Sequence, residues 1–270
     1  MPTSAKEKAT VEKHLISETV QGDMMYFSPG QFSVKKSIED GFGRFAKKPL
    51  YAALMIPDAV VVSASIFFLS RLFFQAQGGS VLLSAALFVY MPAMVIGFLI
   101  YFMFISAPLA SYAKSRIAGI KYSGIVKSIA AGVSVLQPLG YALFLFGAIW
   151  AFHYNEIIPV AISILGILFY FVSISQSLMP NFLVDTKGNR SNAISHGWLL
   201  LSGKTPRLVY SDLLVFSPVI ILILLFLISN DVYALASAAF AFVFCSGIWY
   251  GTVASIHDAV LKGSDTYNVY

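Results

Sequence analysis

Six long apolar runs alternate with polar gaps along this chain: residues 50–74, 81–107, 128–152, 157–179, 209–229 and 232–255. Each run is long enough for the roughly 20 helical residues that cross about 30 Å of hydrocarbon. A chain inside hydrocarbon must satisfy its own backbone polar groups, and a single run does so as a helix. The pattern predicts an all-α, polytopic membrane protein with six transmembrane helices. The gaps after the first, third and fifth runs are short (75–80, 153–156 and 230–231), so the helices pair as three hairpins.

The remaining gaps carry a helical period of their own. Val34, Ile38, Phe42 and Phe45 recur at helical spacing, with Lys35, Lys36, Glu39, Asp40, Arg44, Lys47 and Lys48 among them. This predicts a basic amphipathic helix in the inner interface ahead of the first hairpin. Ala113, Ile117 and Ile120 mark a second such segment, and Ala193, Ile194, Gly197, Trp198 and Leu201 a third, with Ser191 placed to cap it. Each hairpin is therefore expected to follow its own inner-face amphipathic helix. Gly41, Gly119 and Gly197 lie 78 residues apart in turn, which suggests three parallel repeats. The domain reading is a tail at 1–30, a membrane domain at 31–256 and a tail at 257–270.

Charge orients the chain. Of 18 Lys and Arg residues, eight precede the first run, four lie between the second and third, and four lie between the fourth and fifth. Lys262 is in the last tail, and Arg71 alone falls elsewhere. Cytoplasmic loops hold the excess of Lys and Arg, so both termini are expected on the cytoplasmic face of a cell membrane. Charged residues make up only 11% of the chain, against roughly 25% in soluble domains. Mean hydropathy is +0.77. The net charge of +5 flanks apolar runs instead of forming one basic face, which points to lipid headgroups and not to nucleic acid. The single Cys245 excludes a disulfide within the chain. The first 30 residues hold no apolar stretch of signal-peptide type, so none is expected.

The stretch AISHGWLLLSGKTPRLVYSDLLVF at 193–216 resembles a segment of a prokaryotic membrane-domain family. That family is attached to some glycerophosphodiester phosphodiesterases and also occurs in free-standing membrane proteins. FLVDTKGNRSNA before it is similar to the family's acidic residue ahead of an interfacial helix, and GFGRFAKKPLYAAL at 41–54 is a weaker copy. The resemblance implies no catalytic residue in the membrane part, and the 270 residues contain no phosphodiesterase domain.

Candidate chemistry is sparse. Asp58 lies nine residues after Pro49, roughly 13 Å into the first run at helical rise. An acid at that depth costs at least about 2.5 kcal/mol, so it is expected to face the bundle interior. It reads as a proton or cation site, or as a carboxyl that locks helices together. Gln137 and Gln176 are buried amides that extend the candidate site or bond across helices. Asp212 reads as an interfacial ion-pair partner of Lys204, Arg207 or Lys127. Gly247, Gly251 and Ser255 form a small-residue face for close helix packing, within the chain or between copies. Lys35, Lys36, Phe42, Lys47, Lys48, Trp198, Lys204 and Arg207 are placed to meet lipid or a partner subunit.

No HExxH motif, P-loop, cysteine cluster or GxSxG elbow appears, so no metal, cofactor or catalytic activity is expected. Two functions remain. The first is a scaffold or interaction subunit for lipids or a membrane complex, including self-association. The alternative is a small transporter or channel with Asp58 as its proton or cation site. A scaffold calls for a dry core, and a transporter for a polar cavity that reaches Asp58.

Overall fold

A computed structural model describes residues 32–76, 96–98, 100–122, 124–153, 157–185 and 205–265, and these contain helices and turns but no strand. In chain order the elements are α1 (Val34–Lys47), a 3-10 segment (Pro49–Met55) and α2 (Ile56–Ala76). A helical stretch from Ile96 then passes through a π-helical turn (Phe102–Ser106) into α3 (Ala107–Ala118). The rest are α4 (Gly124–His153), α5 (Ile157–Gln176), α6 (Met179–Asp185), α7 (Thr205–Ser229) and α8 (Val232–Asp265).

Among the described residues, five helical stretches are long and apolar enough to cross a membrane: Pro49–Phe68, Ile96–Ala118, Val160–Asn181, Thr205–Ser229 and Val232–Val260. The chain is therefore multi-pass in character. Phe68, Phe104, Leu168, Leu225 and Phe240 point outward on these helices, as side chains against lipid do. α4 has 30 residues and a mostly apolar composition, but it is not among the five. Residues 81–95 of the second expected run lie outside the described residues, as do Ser191, Gly197, Trp198 and Lys204 with the whole third amphipathic segment.

α8 is the central post. Its 34 residues span about 51 Å, so it outruns a bilayer core of about 30 Å. Its C-terminal half packs Trp249, Val253, Ile256 and Val260 against Ile174, Leu208 and Phe216 in the largest apolar cluster among the described residues. α1 docks on the same C-terminal half. Ser33 caps α1 by accepting from the Lys36 amide, and Arg44 and Lys47 in its last turn complement the helix dipole.

The docking of α1 uses small residues beside the expected apolar ones. Ser37, Gly41 and Phe45 are buried, Val34 and Ile38 pack against the core, and Phe42 is 55% exposed. The reason is backbone approach. A Cβ on Gly41 would meet the Thr252 amide nitrogen at 2.5 Å, and one on Gly251 would strike the Gly41 carbonyl oxygen. The small face of Gly247, Gly251 and Ser255 thus receives α1 of the same chain, with Phe45 seated over Gly247. Ser255 donates to Asp40 at 3.3 Å, and Arg44 pairs with Asp258.

The second amphipathic segment is a correction. Ala113 and Ile117 are buried, and they belong to α3, which continues the long apolar helix from Ile96 into the bundle instead of forming a separate amphipathic helix. Small residues of the sequence APLASYA let that helix run on into the bundle. It stops at Gly119, whose φ of +76° is the left-handed conformation of a C-cap, with the Ile120 amide donating to the Ser115 carbonyl at 3.0 Å. Arg44 and Lys48 donate to the end carbonyls of Ala118 and Arg116 at 3.2 and 2.7 Å. Gly119 thus ends a helix, whereas Gly41 sits inside one at a helix crossing.

Candidate functional site

Asp58 is 3% exposed and sits on the third residue of α2. A 3-10 segment rises about 2.0 Å per residue, so the seven residues of Pro49–Met55 carry Asp58 deeper than α-helical spacing would, to about 17 Å from Pro49. Tyr101 donates its hydroxyl to Oδ1 at 2.8 Å and Ser106 donates to Oδ2 at 2.7 Å. These donors are five residues apart, and in a regular α-helix they would not share a face. The π turn Phe102–Ser106 supplies the extra residue that brings both onto one carboxylate, a use typical of such turns at functional sites.

Ser106, Ala110 and Lys114 follow at four-residue intervals on one face. Lys114 is 3% exposed and donates from Nζ to the Ser177 carbonyl at 2.6 Å. That carbonyl lies in the two-residue turn that separates α5 from α6. Ala110, with only a methyl group between the two polar positions, leaves a buried cavity of about 40 Å³. Asp58, Lys114, Tyr141, Ser177, Ser246 and Tyr250 are among its walls. The Ser177 hydroxyl is buried and has no hydrogen-bond partner. A space of this size holds a few water molecules, which its polar walls can bond.

A second buried carboxylate lies behind Tyr141, which lines the same cavity. Asp212 is 0% exposed and accepts at Oδ2 from both Tyr141 and Tyr170, each at 2.7 Å. Asp212 is thus buried rather than exposed at an interface; of its expected ion-pair partners, Arg207 and Lys127 are exposed, and Lys204 lies outside the described residues. Tyr141, Phe216 and Phe242 separate the polar cavity from an apolar cleft of about 410 Å³ between α2, α4, α5, α7 and α8.

Of the site residues read from the sequence, Asp58 falls in the cavity. Gln176 is half-buried at the end of α5 and does not line the cavity, and the Gln137 side chain lies outside the described residues. Lys35, Lys36, Lys47 and Lys48 are exposed around α1. Sequence reasoning missed Lys114, which was counted among loop charges. It also missed Tyr101, Ser106 and Ser177, whose signal was only that each is a polar residue inside an apolar run. Among the described residues no group of three His, Cys, Asp or Glu side chains is suited to hold a metal. No family model, no curated protein and no solved structure matches this chain.

Proposed function

We propose that this protein is a small membrane transporter or channel that uses Asp58 as its proton or cation site. In this reading the chain crosses the membrane six times, with both termini on the cytoplasmic face. The observation that carries it is the shared cavity: the buried ionisable side chains of Asp58 and Lys114 line one water-sized space inside the bundle. Ionisable groups at membrane depth are costly, and they mark ion or proton pathways when they line a wet cavity. A scaffold with a dry core draws no support from such a cavity. The size of the space limits the mobile species to protons, water and single ions.

The test is pH- or cation-driven flux into liposomes that hold the purified protein. Wild type is expected to carry flux, and Asp58→Asn to abolish it while keeping the melting temperature within a few degrees. Absent wild-type flux under every gradient, or undiminished flux in Asp58→Asn, overturns the proposal.

A further inference from the structure

We infer that Lys114 and Ser177 form a binding site for one small monovalent anion of the halide class. The inference extends the transporter reading, and its binding arm stands without it. An ammonium carries three donors, and the Ser177 carbonyl takes one from Lys114. A buried cation is unfavourable unless a charge or several hydrogen bonds compensate it. Asp58 does not do so directly. Its two oxygens each accept from a hydroxyl, and Ser106 stands eight residues from Lys114, about 12 Å along the helix. Lys114 and Ser177 both line the same space, and the Ser177 hydroxyl has no partner. Donors of this kind, converging from α3 and from the turn after α5, are what a desolvated anion requires.

Size selects the class. About 40 Å³ suits a single halide better than a phosphate, a sulfate or a lipid headgroup. Charge selects the stoichiometry. The titratable side chains that face the cavity among the described residues are Asp58 on α2, Lys114 on α3, Tyr141 on α4 and Tyr250 on α8. The turn after α5 adds Ser177, and α5 itself adds Ser173, without charge. Asp212 on α7, bonded to Tyr141, adds a second carboxylate behind this wall. A bound anion adds one negative charge to the set, which uptake of one proton cancels. The site therefore takes halide and proton together.

The experiment measures the melting temperature of the purified protein in lipid nanodiscs at constant ionic strength, as sodium gluconate is replaced by sodium chloride or bromide. Gluconate is too large for the cavity. A saturable rise in chloride and bromide is expected for wild type. Ser177→Ala should weaken half-saturation roughly tenfold, the effect of one hydrogen bond to a charged partner. Lys114→Gln should remove the rise. Ala110→Val, which fills the space without touching a donor, should remove it too and guards against a Lys114 variant that does not fold. Equal melting in chloride and gluconate means a cavity that holds water only, and overturns the inference. Chloride binding without any flux keeps the anion site and removes the transporter reading. Proton flux without chloride binding does the reverse.

Discussion

At the scale of single residues, burial decides which polar groups matter. Tyr122 follows the Gly119 cap, is 8% exposed, and donates to Asn181 Oδ1 at 2.5 Å. Burial pushes its phenol above the ordinary tyrosine value of about 10. A group held neutral in the folded state contributes stability that is complete below its unfolded value and fades as pH rises beyond it. Tyr122→Phe leaves Asn181 Oδ1 unpaired, at a cost of about 1–3 kcal/mol. The variant should melt earlier than wild type at neutral pH, and the gap should narrow above about pH 10. A gap that widens with alkali would refute this account of Tyr122. The same scale shows what the sequence conceals. Asp58 was legible because an acid inside an apolar run stands out. Lys114 and Asp212 sit among other charged residues next to run ends, so nothing in their spacing separates a buried charge from a solvated one. Only the inward continuation of α3 and the tyrosines of α4 and α5 make that distinction.

At the scale of elements, the close crossings are set by absent side chains. Gly251→Ala drives a methyl into the Gly41 carbonyl oxygen, and backbone cannot move aside as a flexible side chain does. Overpacking of this kind costs about 1–3 kcal/mol. Gly43, two residues along α1, has open space where its Cβ would stand. Gly251→Ala should therefore lower the melting temperature by several degrees, and Gly43→Ala should leave it unchanged or slightly raised. Equal effects at both positions would mean that α1 does not dock on α8 through Gly41. The helix α1 and the small face of α8 were each visible in the sequence, but their union was not. Apolar periodicity pointed to Val34, Ile38, Phe42 and Phe45, of which all but Phe42 pack inward, whereas the closest backbone approach uses Gly41 beside Ser37, which a hydrophobic pattern scores as neutral. The crossing of α4 and α5 follows the same rule. A Cβ on Gly140 would meet the Tyr170 nitrogen at 2.7 Å, and this glycine contact holds Tyr141 and Tyr170 side by side over Asp212.

At the scale of the whole molecule, the number of crossings turns on α4. Its 30 residues would reach about 45 Å, and it lies close along α5, with Gly140 against Gly166. Residues 160–181, within α5 and its extension, are long and apolar enough to cross. Only residues 154–156 separate the two helices, too few to carry the chain back over a bilayer. If α5 crosses, α4 must either cross as well or turn back within the membrane. The charge pattern favours crossing. Lys121 precedes α4 and Lys127 lies in its first turn, and Lys187, Arg190, Lys204 and Arg207 follow α5, so two crossings leave both groups on one face. One crossing would place the two basic groups on opposite faces, against the bias of cytoplasmic loops. Cys245 is buried and gives no background for thiol labelling. Lys121→Cys and Asn155→Cys are therefore expected to react with a membrane-impermeant maleimide from opposite faces, Asn155→Cys in intact cells and Lys121→Cys only after the membrane is opened. Labelling of both positions in intact cells, or of neither, would reduce the crossings to an odd number, put the termini on opposite faces, and remove the six-span arrangement on which the proposed transport rests.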